Sequence, residues 1–139
     1  MSVVYAPGVW DLLHVGHVRF LDVASHVGEK LIVGVPSDDV VFNDKGQLPV
    51  IPLNERMEML AALECVDHVE AYYELDFIVH LEKFRPRILA VGAYWGSDLR
   101  HTRAENWLAE NGGWITRIPY TNFVSTTDII KRIQERIKT

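Results

Sequence analysis

The chain has 139 residues, of which 48% are hydrophobic and 24% are charged, and its formal net charge is −5. This length and composition predict one folded domain of residues 1–139 and argue against disorder. The acidic balance disfavours a nucleic-acid-binding protein but permits a pocket for a small anion. The single cysteine, Cys65, excludes a disulfide framework and fits a cytoplasmic protein. We expect no membrane association, because no apolar run reaches about 18 residues and no secretion signal precedes the first strand.

Short apolar runs alternate along the chain with segments of helical periodicity. The apolar runs predict strands at residues 2–6, 31–35, 68–72, 88–91 and 115–118. Apolar residues spaced three and four apart predict helices at residues 18–27, 55–63, 77–84, 102–110 and 129–137. We expect most of the segment 38–52 to be a loop, because it contains two prolines, a glycine and several polar residues.

Strands separated by helices predict an α/β fold with a three-layer architecture. We expect a Rossmann-like, mainly parallel five-stranded sheet with helices on both faces. Such sheets bind ligands beyond the carboxyl ends of their strands, where the strand order switches. The segments that follow the strands are therefore the candidate site: residues 7–17, 36–56, 92–103 and 119–127.

Two histidines lie at the start of the first predicted helix. His14 and His17 are three residues apart and so share one helix face. The N–H groups and dipole at a helix start favour an anion, and Gly16 permits close approach to the backbone. Imidazoles that donate to phosphate oxygens would stabilise a phosphoryl-transfer transition state. Ordinary helix residues and metal ligands remain the alternatives, although zinc needs three or four ligands.

Three stretches of the chain resemble one enzyme superfamily. Residues 8–17, Gly-Val-Trp-Asp-Leu-Leu-His-Val-Gly-His, resemble the motif of the H-x-G-H nucleotidyltransferases. Residues 45–56 are similar to the K-G-x-x-x-P-[VI]-x-x-x-x-R segment of the cytidylyltransferase-like branch, and residues 123–130 to its G-x-S-T-T-x-I-I segment. That branch includes glycerol-3-phosphate and ethanolamine-phosphate cytidylyltransferases and the adenylyltransferase domain of heptose-phosphate enzymes. Three blocks in order, over nearly the whole length, make the resemblance specific.

The resemblance implies a reaction and a set of site residues. The chain is expected to transfer a nucleoside monophosphate from an NTP, bound with Mg²⁺, to a phosphorylated small-molecule acceptor, releasing pyrophosphate. The resemblance also implies a homodimer, and it implies that no residue of the protein acts as a metal ligand. The implied catalytic residues are His14, His17, Lys45 and Arg56. The implied substrate-binding residues are Gly8, Val9, Trp10, Asp11, Gly16, Gly92, Tyr94, Trp95, Ser125, Thr126 and Thr127.

The implied phosphate-binding residues each have a structural alternative. Lys45, in the predicted loop, either folds over a triphosphate or is a solvated lysine. Arg56 either offers a planar fork to two phosphate oxygens or forms a surface ion pair with a neighbouring glutamate. The hydroxyls of residues 125–127 contact phosphates, cap the last helix, or do both.

The residues that the resemblance assigns to binding the acceptor and the base also have structural alternatives. Asp11 either positions the acceptor or bonds backbone within its own turn. The segment 92–98 offers Tyr94 and Trp95 for stacking on a base, unless the two rings pack into the edge of the core. Arg100, His101 and Arg103 suit an acidic acceptor or form a solvated helix edge. Asp38 is a weaker acceptor candidate and is as readily structural.

The chain departs from the family pattern at positions that affect substrate choice. Val9 stands where glycerol-phosphate enzymes carry Thr, and the segment 92–95 differs from the usual G-D-D-W and G-G-D-Y loops. Residues 120–123, Tyr-Thr-Asn-Phe, stand where the branch has Arg-Thr-x-Gly, and Arg117 is a candidate substitute for the lost arginine. The triphosphate machinery is thus better supported than the base or the acceptor.

Three functions are therefore kept. A cytidylyltransferase that uses CTP and a phosphorylated alcohol such as glycerol 3-phosphate is the first. An ATP-dependent adenylyltransferase for a sugar phosphate is the second, because the Asn-Gly-Gly-Trp stretch at 111–114 is more similar to the heptose enzymes. A nucleotide-binding module that has lost the reaction is the third, because of the departures at 120–123.

Overall fold

The computed structural model describes residues 2–96, 98–122 and 124–138, in which strands and helices alternate as predicted. The elements, in chain order, are β1 (Val3–Pro7), α1 (Val15–His26), β2 (Lys30–Pro36), α2 (Asp38–Lys45), α3 (Leu53–Ala61), β3 (His68–Tyr72), α4 (Ile78–Phe84), β4 (Ile88–Gly92), α5 (Leu99–Glu110), β5 (Trp114–Ile118) and α6 (Thr126–Lys138). The predicted α/β class is confirmed. α1, α5 and α6 each begin up to one turn earlier in the chain than predicted. The residues of that first turn follow the helix cap and precede the apolar residues on which the prediction rested.

All strand pairs of the sheet are parallel, and the strand order is β3-β2-β1-β4-β5. β1 is central: Tyr5 is in register with Ile32 of β2 on one side and with Leu89 of β4 on the other. Along the chain, β2 is added beside β1 and β3 beside β2. The chain then crosses back, and β4 is added on the other side of β1. The order therefore switches between β1 and β4, and the crevice beyond their carboxyl ends is where such sheets bind ligands.

Two apolar clusters cover the two faces of the sheet and make three layers. On one face Val33 packs with Leu21 of α1 and Leu60 of α3. On the other face Leu89 packs with Leu81 of α4 and with α5. Because both faces are covered, the central strands are continuous apolar runs rather than alternating ones. No helix in the described part of the chain is long and apolar enough to cross a membrane.

The prediction of a loop over 38–52 is wrong for its first half, which is α2. The Ser37 hydroxyl caps this helix by accepting a hydrogen bond from the Val40 N–H at 3.2 Å. Asp38 and Asp39 lie in the first turn, where the helix dipole favours negative charge. Gly46, with a φ of 78°, ends the helix in the left-handed conformation. α2 therefore places Lys45 at a helix end rather than in a loop.

Candidate active site

Two cavities flank the carboxyl end of β1 and share the wall formed by Pro7, Gly8 and Val9. The first, which we call the histidine cavity, holds about 320 Å³ between the start of α1, the ends of β4 and β5 and the start of α6. The second, which we call the acidic–basic cavity, holds about 210 Å³ between α2, the end of β3 and the start of α5. The two lie on opposite sides of β1, so ligands bound in them would meet at residues 7–9.

His14 and His17 lie together in the histidine cavity, as predicted, with their rings stacked and their centroids 3.9 Å apart. The Gly16 N–H donates to His14 Nδ1 at 3.0 Å, and the His14 N–H donates to His17 Nδ1 at 3.2 Å. These bonds cap α1 with imidazoles in place of the usual hydroxyl or carboxylate. Because each Nδ1 accepts a hydrogen bond, each neutral ring carries its proton on Nε2. Nε2–H is thus the group that each ring can offer to a ligand.

Burial keeps both imidazoles neutral. It lowers the pKa of His17 to about 4, and the neighbouring His14 lowers it further, while the Leu12 backbone opposes the shift. Burial also lowers the pKa of His14 from its ordinary value. The indole of Trp10 contributes to this apolar setting, with its ring edge-on to His17 at 5.4 Å between centroids. At neutral pH the pair therefore presents two uncharged hydrogen-bond donors.

Gly16 makes room for an imidazole and also lines the histidine cavity. A Cβ placed on Gly16 would lie 2.8 Å from His14 Cε1 and 2.9 Å from its Nδ1. Such contacts would force the His14 ring to move. The glycine thus permits the His14 ring to fold back over the first turn of α1, and its other role, close approach of a ligand to the backbone, stays a prediction.

The start of α6 forms the opposite wall of the histidine cavity. Ser125 Oγ accepts from the Asp128 N–H at 3.0 Å, so the predicted cap is present. Thr126 Oγ1 lies 3.2 Å from the Asp11 carbonyl and 3.3 Å from the Leu12 carbonyl, and its hydroxyl donates to this pair. Ser125 and Thr126 line the cavity, whereas Thr127 is exposed outside its wall. Phe123, which belongs to the same motif, lies outside the described residues.

The histidine cavity suits an anion although no charged side chain lines it among the described residues. The N-termini of α1 and α6 both open into it, and each helix start carries a partial positive charge with unpaired N–H groups. Hydroxyls and two neutral imidazoles supply further donors. The described residues contain no group of three or more His, Cys, Asp or Glu placed to hold a metal ion. This arrangement can bind phosphate oxygens by hydrogen bonds.

The segment after β1 is held rigidly between the two cavities. Trp10 has a φ of 58°, is 5% exposed, and donates from its indole nitrogen to the Gly34 carbonyl at 3.1 Å. Gly8 lies against this indole, since a Cβ there would be 2.8 Å from Trp10 Cε2. Gly8, Val9 and Trp10 all line the histidine cavity, and their role in substrate binding stays a prediction.

Arg56 is interior, so it forms neither the predicted phosphate fork nor the surface ion pair that was its structural alternative. Its side chain is fully buried, and it donates to the carbonyls of Ile51, Val9 and Pro36 at 2.9–3.1 Å and to the Asp38 carboxylate at 2.7 Å. Four of the five N–H groups of its guanidinium are thus bonded within the protein. The prediction that Arg56 grips phosphate oxygens is corrected on these contacts. The side chain instead ties the ends of β1 and β2 to α3.

Asp11 and Asp38 also bond to backbone. The Asp11 carboxylate accepts from the Val50 N–H at 2.7 Å and from the Ile51 N–H at 3.2 Å, and it lies outside both cavity walls. It therefore holds the loop between α2 and α3 rather than facing an acceptor. Asp38 accepts from the Leu53 N–H at 3.1 Å in addition to Arg56, so its structural alternative is the one the geometry favours.

The acidic–basic cavity collects charged and aromatic side chains from distant elements. Lys45 and Asp44 come from the end of α2, and Arg100 and His101 from the start of α5. Arg100 Nη1 lies 3.5 Å from Asp44 Oδ2 across the cavity. Of the predicted basic cluster, Arg103 is elsewhere, paired with an aspartate at 2.6 Å. Lys45 is therefore separated from the histidines by the shared wall at residues 7–9.

The segment 92–96 divides between the two cavities. Gly92 lines the histidine cavity, whereas Trp95 lines the acidic–basic cavity and stacks on His101 with centroids 4.1 Å apart. Arg117 donates to the Trp95 carbonyl and so anchors this loop instead of entering the histidine cavity. Tyr94 is 85% exposed and stacks on Tyr120. Ser97, also in this predicted segment, lies outside the described residues.

Several cavity residues escaped sequence analysis. Asp44, Tyr72 and Phe77 line the acidic–basic cavity, and Tyr120 lines the histidine cavity. The sequence does contain a signal that places Asp44 on a helix, namely the cap residues Ser37 and Gly46. The two prolines that follow in the same segment favoured a loop instead. Tyr120 was noticed only as a departure from the family pattern, because nothing local shows which side chain it meets.

The parallel sheet, its switch point and the two histidines between helix starts define a class of α/β domains that bind phosphorylated ligands. The cytidylyltransferase-like family model matches residues 5–132, so the chain belongs to the cytidylyltransferase-like family.

Relatives and solved structures agree with this assignment. The chain is similar to the bifunctional protein HldE of Trichlorobacter lovleyi, with 35% identity over 97% of the chain, and to that of Klebsiella pneumoniae, with 38% identity over 96%. It spans 27% and 28% of the lengths of these two proteins. A lipopolysaccharide core biosynthesis protein from Thermoplasma volcanium superposes with a TM-score of 0.73 at 25% identity, over 89% of this chain and 99% of that one.

Proposed function

We propose that this chain transfers AMP from ATP to a sugar phosphate and releases pyrophosphate. The observation that carries nucleotidyl transfer is the neutral histidine pair between two helix starts. The choice of ATP and a sugar phosphate is supported by the similarity to proteins named HldE, which we take to be of the heptose-phosphate type. The similarity to a lipopolysaccharide core biosynthesis protein supports the same choice.

In this proposal the triphosphate lies in the histidine cavity. The helix starts, Ser125 and Thr126 would hold its oxygens, and Mg²⁺ bound with the nucleotide would supply the positive charge that the described cavity lining lacks. The acceptor phosphate oxygen forms a bond to the α-phosphorus while the bond from the α-phosphorus to the bridging oxygen breaks, and pyrophosphate leaves. His14 and His17 donate from Nε2 to the α-phosphate oxygens as charge develops. No covalent nucleophile is needed.

The acceptor lies in the acidic–basic cavity and meets the nucleotide at residues 7–9. Lys45 and Arg100 offer positive charge to its phosphate, and the Asp44 carboxylate offers an acceptor to sugar hydroxyls. The aromatic wall formed by Trp95 and Tyr72 suits the apolar face of a sugar ring. A sugar phosphate can use the positive charge, the carboxylate and the aromatic wall together. Glycerol 3-phosphate has no ring and fewer hydroxyls, so it would use fewer of these groups.

CTP with a phosphorylated alcohol is the second candidate. It was the first expectation from the motif blocks, and the cytidylyltransferase-like description of the family supports it. The named relatives support the ATP reaction better. The two candidates share the histidines and the helix starts and differ only in the base and the acceptor.

Pyrophosphate release with a matrix of substrates tests the proposal. We expect release with ATP and a heptose 1-phosphate that exceeds release with CTP and glycerol 3-phosphate at least 100-fold. Release specific to CTP would replace the first candidate by the second. Binding of nucleotide without release from any pair would identify the non-catalytic module that the departures at residues 120–123 suggested.

The setting of the reaction is also proposed. We propose a cytoplasmic homodimer that uses no nucleic acid and no membrane as a partner. Cytoplasmic ATP and phosphorylated sugars fit this setting. The dimer rests on the family resemblance and on an exposed isoleucine stripe along α6. Omission of Mg²⁺ from the pyrophosphate assay is expected to abolish turnover, because the described cavity lining carries no cationic side chain.

A further inference from the structure

Two large aromatic rings are exposed at the rim of the histidine cavity. Tyr94 is 85% exposed and Tyr120 is 59% exposed, and their rings stack with centroids 5.6 Å apart and planes inclined by 27°. Gly92 of β4 is in register with Ile118 of β5, so each tyrosine lies two residues beyond this pair. The stacked rings therefore stand side by side just past the carboxyl ends of neighbouring strands, where nucleotides bind in such sheets.

Only Tyr120 of this pair forms part of the cavity wall. Its ring lies over Gly92, where a Cβ would be 2.5 Å from the hydroxyl and 2.9 Å from Cζ. The glycine thus creates the space in which the Tyr120 ring sits. The other aromatic candidate, Trp95, faces the acidic–basic cavity and already has one face covered by His101.

We propose that Tyr120 is the stacking platform for the nucleotide base and that Tyr94 occupies the place of the base in the free protein. This inference rests on the proposed nucleotidyl transfer and adds a specificity-determining residue to it. A base that enters displaces the Tyr94 ring, which is almost wholly exposed and swings away at little cost. The base then stacks on Tyr120 while its phosphates reach the starts of α1 and α6.

The platform selects for base size rather than for hydrogen-bonding groups. A two-ring purine covers more of a phenol ring than a one-ring pyrimidine does, and base–aromatic stacking depends on this overlap. The proposal therefore names a purine nucleotide as the preferred ligand of this site.

The test compares ATP, CTP and inorganic tripolyphosphate as ligands of the full chain in the presence of Mg²⁺, measured by calorimetry. We expect Tyr120→Ala to weaken ATP binding about 10-fold and to bring the ATP-to-CTP affinity ratio close to 1. Tyr120→Phe keeps the ring and is expected to bind ATP within about two-fold of the parent. Tripolyphosphate has no base, so its affinity is expected to be unchanged in both variants.

Tyr73→Ala is the matched control, because Tyr73 is 72% exposed and lies outside both cavities. Unchanged ATP binding by Tyr120→Ala would overturn the proposal. Equal losses for ATP and tripolyphosphate would also overturn it, since they would place Tyr120 on the phosphate side or in the support of the fold. Pyrophosphate release by the parent chain is measured separately. Its absence with every substrate pair would refute the proposed reaction and leave the binding comparison intact.

Discussion

At the scale of single residues, the geometry of the two imidazoles is that of a matched pair of donors and not of an acid and a base. Each Nδ1 accepts a backbone N–H, so the proton of each neutral ring is fixed on Nε2. Burial lowers the pKa of both rings, so neither holds an extra proton at neutral pH. In the proposed reaction, charge that develops on the transferred phosphate would meet preorganised donors, which is the electrostatic form of catalysis.

Removing either imidazole is expected to lower kcat on the order of 10²–10³-fold, by analogy with a lost oxyanion donor. His14→Ala also removes the cap of α1, whereas His14→Asn retains a capping side chain and isolates the chemistry. His17→Ala and His14→Asn are compared with His26→Ala, which changes an exposed histidine at the other end of α1. Near-normal pyrophosphate release by both site variants would remove the histidines from the mechanism.

His17 is expected to titrate with a pKa of about 4 in the free protein. Between pH 6.5 and 4 the unfolded chain binds a proton at this residue and the folded chain does not, so stability falls as the pH is lowered through that window. Nitrogen chemical shifts from NMR follow the titration, and they also report the Nε2–H form of the neutral ring. A midpoint near 6.5 would contradict the buried, hydrogen-bonded setting of His17.

The sequence predicted the histidine pair correctly because the features that bring the rings together are local. His14 is the N-cap of α1 and His17 lies in its first turn, so no distant contact is needed to place them in the same cavity. Arg56 shows the opposite case. Its partners at Val9 and Pro36 are 47 and 20 residues away, so no local pattern reveals that the guanidinium is buried.

At the scale of elements, the burial of apolar residues decided which elements could be predicted from the sequence. The apolar runs of β2 and β4 are buried on both faces of the sheet, and a continuous run is a direct signal of that burial. α2 was missed because only two of its eight residues, Val40 and Val41, are buried. The Ser37 cap and the terminal Gly46 were better evidence than hydrophobic periodicity for so short a helix.

α3 is expected to depend on Arg56 for its docking against β1 and β2. Arg56→Lys keeps the charge but cannot reach four acceptors in a plane, so buried carbonyls lose their partners. We expect a loss on the order of 3 kcal/mol in the free energy of unfolding. Chemical denaturation measures this loss, with Arg19→Lys on the exposed face of α1 as the control.

Binding data separate this positioning role from phosphate contact. The Arg56→Lys variant is studied at a low temperature at which it remains folded. If Arg56 only positions α3, we expect this variant to bind tripolyphosphate within about two-fold of the parent. A variant with normal stability and greatly weakened tripolyphosphate binding would restore the phosphate-gripping role that its contacts in the structure argue against.

At the scale of the whole molecule, α6 is the element least accounted for by the fold. None of its described residues is buried, although Ile130, Ile133 and Ile137 lie along one side and are 38%, 49% and 78% exposed. A helix of 13 residues is marginal in water without packing of its apolar face. α6 has four basic and two acidic residues in a chain whose net charge is −5, so the remainder of the chain is acidic. A basic, apolar helix therefore suits the acidic surface of a second copy.

The proposed homodimer is expected to depend on this stripe. Ile133→Glu places a charge in the apolar face and weakens the attraction of α6 to an acidic partner, so the dimer should dissociate. Sedimentation velocity at several concentrations measures the change. Gln134→Glu adds the same charge at an exposed position beside the stripe, and its dimer should weaken by less because the isoleucines remain. A parent chain that is monomeric at about 100 μM, or an Ile133→Glu variant that stays dimeric, would show that α6 does not join two copies. Because the histidine cavity is formed within one chain, the monomeric variant should still bind ATP.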